Sequence, residues 1–229
     1  MNKGVHKALN RFREYAGIVS RNYTRTAWVL KCDIKKFFAN IDHKILRNIL
    51  AKYIKDDEVL RLLGEIIESF NTKNKIGVGL PLGNLTSQLL VNIYMNEFDH
   101  FMKRELKVAR YIRYADDFVI FYENRKYLED LILKISEFLA IKLKLALHPD
   151  KVFIKTLASG VDFLGWIHFS RHRVLRTATK RRMMRGLEIA SEQTPRNDSV
   201  IRSYLGLLKW GNSYKIKKKI CLLISTKNK

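Results

Sequence analysis

Cysteine is scarce. Cys32 and Cys221 are the two in 229 residues, far apart and without partners at metal-ligand spacing. That excludes a disulfide-stapled scaffold and a thiolate metal centre. Two thiols still permit one bridge, but reduced cysteines in a reducing compartment are the expectation. Long apolar runs are missing too: none approaches the roughly 18 residues that span a bilayer. The start lacks the basic, apolar and cleavage regions of a secretory leader. These absences argue against a membrane protein and predict a soluble, cytoplasmic chain. Repeats and low-complexity tracts are also absent. Acid is the last shortage, with 22 Asp and Glu against 44 Lys and Arg, a net charge of +22.

That charge is the electrostatic footprint of a polyanion binder. It is uneven: Arg171 to Lys229 holds 16 basic and 3 acidic residues. Nucleic acid is the first candidate partner; a membrane surface or a ribosome competes on charge alone. The hydrophobic content, 47%, supports a sizeable core in one large domain or a domain with appended lobes.

Periodicity orders the elements. "KGVHKALNRFREY" predicts a short helix with Ala8, Leu9 and Phe12 on one side, and "AWVLKCDI" predicts a strand. "NIDHKILRNILAKYI" then turns helical, with Asp42 as cap and Ile45, Leu46, Ile49 and Leu50 on one face. A second helix is expected in "DEVLRLLGEIIESF". "NKIGVGLPLGN" is a loop, with three glycines and a proline. One long helix over 85–104 should follow, burying Leu85, Leu89, Ile93, Phe98 and Met102. Residues 108–122 predict a hairpin with "ADD" at its turn, and 127–145 an amphipathic helix ended by "HPDK". "VFIKTL" and "VDFLGWIHF" predict strands around an "ASG" turn. From Ala178 the chain reads as basic helix, interrupted by "TPRND". The sum is an α+β layer, an antiparallel sheet backed by helices.

The acids within this basic chain need a reason. Asp33 ends one predicted strand, and Asp116 and Asp117 occupy the hairpin turn. Paired strands would bring three carboxylates to one end of the sheet. There they would raise one another's pKa unless cations compensated them. Hard divalent ions with oxygen ligands, Mg²⁺ above all, suit that task, and two of them can clamp a phosphoryl transfer. Taken singly, Asp-Asp in a turn is an ordinary solvated turn former.

"LKCDIKKFFANIDH", "GLPLGNLTSQLLVNIYMNEFDHFM", "RYIRYADDFVIFY", "LHPDK" and "DFLGW" stand in that order across nearly the whole chain. Together they resemble the palm motifs and primer grip of reverse transcriptases, in the bacterial retroelement branch. The resemblance implies a polymerase palm and RNA-directed DNA synthesis, extending a primer 3′-OH with dNTPs. It implies two Mg²⁺ ions, with Mn²⁺ as a substitute, held by Asp33, Asp116 and the carbonyl of Ile34, with Asp117 assisting. Lys151 would protonate the leaving pyrophosphate. Phe38 would block a ribose 2′-OH. Leu82, Gly83 and Gln88 would meet the incoming nucleotide, and Asn84 and Ser87 the template. Phe163, Leu164, Gly165 and Trp166 would form the primer grip, and "SYLGLLKWGNSYKIKKK" a thumb, with Tyr204 and Trp210 packing within it.

Two departures qualify the resemblance. Leu82 and Gln88 stand where many members carry glutamine and proline, a form shared with diversity-generating retroelements and some other bacterial enzymes. That subgroup implies error-prone copying of a retroelement RNA and a small basic accessory protein. The fingers, with their basic triphosphate grip, are expected to be truncated. The domains would be 1–26, a fingers remnant with Lys3, Lys7 and Arg11; 27–170, the palm, with fingers-side helices about 45–78; and 171–229, the thumb. An inactive RNA-binding protein on a polymerase scaffold is the competing reading, and a DNA-templated repair polymerase a third.

Overall fold

Two largely apolar stretches, 28–33 and 117–122, form strands whose four central residues are buried on both faces. They are β1 (Trp28–Asp33) and β3 (Asp117–Tyr122), the inner strands of a four-stranded sheet. The edge strands are β2 (Tyr111–Tyr114) and β4 (Phe153–Thr156), giving the order β2-β3-β1-β4. The computed structural model describes residues 4–73, 75–192 and 198–226. Its contacts divide the chain into two compact units, Met1–Lys155 and Thr156–Lys229.

In the first unit, strand alternation assigns the two faces of the sheet. Leu30, Cys32, Phe118 and Ile120 point into the main helical core, where all four are buried. That core is built by α2 (His43–Tyr53), α3 (Asp57–Glu68), α4 (Leu85–Tyr94), α5 (Asn96–His100) and α6 (Arg125–Leu143). Phe98 packs against Phe118 at 5.2 Å and Phe138 at 6.0 Å. The opposite face carries Val29, Lys31, Asp33, Asp117, Val119 and Phe121. Helix α1 (Val5–Val19) covers one end of it, with Phe12 edge-on to Phe121 at 4.7 Å. Phe12, Leu9, Ala16 and Val19 are buried; Ala8 is half-buried. At the polar end of the face Lys31 is buried and Asp33 and Asp117 are half-buried.

The expected cap at Asp42 forms, and Asp56 and Asn124 cap two further helices. Asp42 accepts the N–H of Ile45 at 2.9 Å, Asp56 those of Glu58 and Val59, and Asn124 those of Lys126 and Tyr127. Leu46, Ile49 and Leu50 are buried as expected. Gly79, at φ 111°, lies so close to Thr72 that a side chain would collide with it, which makes glycine necessary in this loop.

The expected helix over 85–104 differs in two ways. It is divided at Met95 into α4 and α5 and widens into a π turn over Phe101–Glu105, where Leu106 N–H donates to Phe101 O. Its first two turns also bury another face. Leu85 is 81% exposed and Leu89 62%, whereas Ser87, Leu90, Val91 and Tyr94 are buried. Apolar residues occupy almost every side of α4, so their spacing does not single out one face. Further along, Phe98 and Met102 are fully buried, as the pattern predicts.

The second unit holds a three-stranded sheet, β5 (Val161–Phe163), β6 (Trp166–His168) and β7 (Arg173–Leu175). "VDFLGWIHF" is itself a hairpin: Phe163 pairs with Trp166, and Leu164 and Gly165 turn at φ 51° and 82°. A two-residue loop with positive φ at both positions matches the sheet's right-handed twist. The "ASG" segment is a turn as expected, a 3₁₀ turn over Leu157–Ser159 closed by Gly160. Arg173 lies between the rings of Trp166 and Trp210 and donates to Trp210 O. Helices α7 (Thr177–Glu192), α8 (Asp198–Leu208) and α9 (Tyr214–Thr226) follow. Gly186 lets the Tyr204 hydroxyl approach α7. "TPRN" lies outside the described residues. The unit begins at Thr156, earlier than the expected boundary at 170–171, because β5 and β6 hydrogen-bond with β7.

Candidate active site

Antiparallel register sets Asp33 directly opposite Asp117, and Tyr114 opposite Asp117 in the neighbouring pair. Ala115 and Asp116 are therefore the whole loop of the β2–β3 hairpin. Ile34 N–H donates to Asp116 O at 3.2 Å, tying this turn to the end of β1. On the other side the "HPDK" turn is bound to the same strand end. His148 N–H donates to Asp33 O at 2.8 Å, and Lys35 N–H to Ala146 O at 2.9 Å. Three carboxylates and Lys151 thus gather from three segments, the outer two, at Asp33 and Lys151, 118 residues apart.

Two lysines hold the carboxylates. Lys151 Nζ donates to both oxygens of Asp33, at 3.1 and 3.2 Å. Lys31 Nζ lies 3.1 Å from Asp117 Oδ1, a nearly buried ion pair. Sequence reasoning overlooked Lys31. The available signal was a lysine between Leu30 and Cys32, which a buried strand admits only with a charge partner. Burial raises the Asp116 carboxyl above the ordinary range, and Asp33 adds to the effect. Burial pushes Asp117 up to about 6, Lys31 pulling against it and Asp33 and Asp116 with it. Burial also raises the thiol of Cys32, so this free cysteine is an inert core residue.

The Asp117 shift predicts a pH dependence. An unfolded carboxyl titrates near 4. Between roughly pH 4 and 6 the folded chain therefore keeps a proton that the unfolded chain has released, and this group's contribution to stability falls as pH rises. Urea unfolding should show wild type losing about 2 kcal/mol relative to Asp117→Asn from pH 4 to pH 7 in metal-free buffer. Parallel profiles would contradict the shift.

The oxygens suit a hard divalent ion. All three acids offer carboxylate oxygens, the donors such an ion prefers, although the buried Asp117 Oδ1 already has the Lys31 ammonium 3.1 Å away. Among the described residues no three acidic, His or Cys side chains stand together at ligating distance. Asp33 and Asp117 contact lysines instead, so a metal would compete with Lys151 for Asp33.

A cleft of about 750 Å³ opens beside the turn, lined by Lys7, Arg11 and Tyr15 of α1, by Phe38, by Gln88 and Asn92 of α4, and by Tyr114 and Ala115. Phe37 is in the core and Phe38 half-buried at the cleft, its ring 5.5 Å from that of Phe37. Gly83, at φ 92°, has open space where a side chain would stand, and Leu82 is 78% exposed. Asn84 precedes α4 without a side-chain cap bond. Ser87 is 1% exposed, on the packed face of α4. Phe163 and Trp166 are core residues of the second unit, and Leu164 and Gly165 its hairpin turn. Among the described residues no helix is long and apolar enough to cross a membrane.

Comparison with known proteins adds the family. Residues 2–168 match the reverse transcriptase (RNA-dependent DNA polymerase) family. Protein YkfC of Escherichia coli is 26% identical over 76% of this chain and 54% of its own length. The group II intron-encoded protein LtrA of Lactococcus lactis is 27% identical over 65% of this chain and 36% of its own. The chain thus spans about half the length of YkfC and about a third of LtrA. Among solved structures, telomerase from Candida tropicalis in complex with a fragment of telomeric RNA superposes with a TM-score of 0.62 at 12% identity. That match covers 98% of this chain and 46% of the telomerase.

Proposed function

This chain belongs to the reverse transcriptase family, and we propose on that footing that it is an RNA-directed DNA polymerase, extending a DNA or RNA primer with dNTPs on an RNA template. The observation that carries the reading is the register pairing Asp33 with Asp117, Asp116 at the adjoining turn, in a chain of net charge +22. Asp33, Asp116 and the Ile34 carbonyl would hold two Mg²⁺ ions, Mn²⁺ serving as a substitute. Once bound, such ions assist deprotonation of the primer hydroxyl and neutralise charge on the leaving pyrophosphate. Asp117, paired with Lys31, supports the site from β3. Lys151, half-exposed and on Asp33, would offer its Nζ proton to the departing pyrophosphate.

The cleft beside the turn would receive the nucleotide, with Gly83 permitting backbone approach and Gln88 and Asn84 facing the nucleic acid. The hairpin turn at Leu164 and Gly165, with Phe163 and Trp166 beneath it, would grip the primer. Helices α7 to α9 would act as the thumb. Ser87 is left out of the template contacts because its side chain is buried.

Sugar choice tests the cleft. Phe38 should repel a ribose 2′-OH, so Phe38→Ala should incorporate rNTPs about tenfold or more better relative to dNTPs. Unchanged discrimination would return Phe38 to a packing role. Leu82 carries the finer reading, error-prone copying of a retroelement RNA with a basic accessory protein as partner. Leucine offers the nucleotide only apolar contact, where a glutamine amide would hydrogen-bond and favour one geometry. Sequenced cDNA from Leu82→Gln should show fewer substitutions than wild type. An accurate wild type, or an unchanged spectrum in an active variant, would contradict that reading.

A further inference from the structure

We propose that Arg113, held by Asp99, is a positioning residue that fixes the backbone of the Ala115–Asp116 turn and so aims Asp116. The inference rests on the polymerase reading for its kinetic test only. Strand alternation places Arg113 opposite Phe118, and its side chain lines the wall of the cleft beside the turn, together with Asp99 and Asn92. Its side chain is 9% exposed. A buried cation of that kind requires full compensation, and Asp99 of α5 supplies it through two parallel bonds, Nε to Oδ1 at 2.9 Å and Nη2 to Oδ2 at 2.6 Å. Tyr111 Oη donates to the same Asp99 Oδ1 at 2.8 Å. The remaining arm, Nη1, donates to Ala115 O at 3.1 Å and to Asn92 Oδ1 at 3.2 Å.

The recipient of that arm explains the arrangement. Ala115 sits at φ 54°, in the left-handed region that L residues with a Cβ adopt at a cost. The first position of a two-residue hairpin loop favours glycine for this reason. Such a conformation persists only where its surroundings over-determine it. Here one bond holds each carbonyl of the loop: Arg113 holds Ala115 O, and Ile34 N–H holds Asp116 O. Lysine in place of Arg113 has one nitrogen and cannot engage Asp99 twice while also reaching the turn.

The test pairs Arg113→Gln with a glycine that removes the backbone cost. In primer extension, Arg113→Gln should lower kcat about tenfold or more with little change in KM for dNTP, the signature of lost positioning. Adding Ala115→Gly should recover at least about half of that loss on a logarithmic scale, since glycine adopts the turn unaided. A purely structural role for Arg113 would not be repaired by a change at the turn. Hydrogen exchange of the Asp116 and Asp117 amides, measured without substrate, should quicken in Arg113→Gln and in Arg113→Lys. The lysine variant keeps the charge beside Asp99 and serves if glutamine prevents folding. Unchanged exchange in a folded variant overturns the proposal whether or not the wild type polymerises. An unaltered kcat, or a loss that Ala115→Gly does not relieve, overturns it in an active enzyme. An inactive wild type with quickened exchange leaves the clamp standing and removes the polymerase reading alone.

Discussion

Asp116→Asn should reduce Mg²⁺-dependent dNTP incorporation by roughly a thousandfold or more, the equivalent of about 4 kcal/mol of transition-state stabilisation. Asp116 is one of two loop residues at the turn, its carbonyl already tied to Ile34 and its carboxyl raised by burial and by Asp33. Asparagine keeps the size and an oxygen but removes the charge that a hard cation needs. RNA affinity should change little, because one acid in a chain of +22 contributes little to phosphate neutralisation. Incorporation within tenfold of wild type would contradict the assignment of this residue to the metal site.

The second large effect concerns charge. Lys180, Arg181, Arg182 and Arg185 are exposed on α7, while Met183 and Leu187 face inward. Replacing the four by glutamine should preserve the packed face. Nucleic-acid affinity should fall about a hundredfold near physiological salt, and the slope of log affinity against log salt should become shallower by up to about 4. This substitution is a cleaner test than removal of residues 171–229, because a cut there would strip β7 from its partner β6. An unchanged slope would place the phosphate contacts on other basic residues.

The acids were legible before the fold. Apolar strands flank both Asp33 and Asp116–Asp117, and antiparallel pairing of such strands converges their ends. The cap at Asp42 and the buried face of α2 were equally readable. The packed face of α4 was not. Leu85 and Leu89 follow the expected spacing, yet Leu90, Val91 and Tyr94 compete for the core, and only tertiary contacts decide between them. The "ASG" turn was legible, but the hairpin at Leu164–Gly165 was missed because leucine is a poor marker of positive φ. Lys31 and Arg113 escaped notice because their partners, Asp117 and Asp99, belong to other elements. Charge within an apolar strand signals that a partner exists without naming it.

The most direct measurement of the central claim is primer extension by the purified chain on a defined RNA template, with Mg²⁺ and dNTPs, alongside RNA binding under the same conditions. The account predicts template-directed cDNA that requires the metal, lengthens with each added dNTP, and disappears in Asp116→Asn while binding persists. RNA binding without any incorporation would contradict it, and would leave a polymerase fold that holds RNA but makes no DNA.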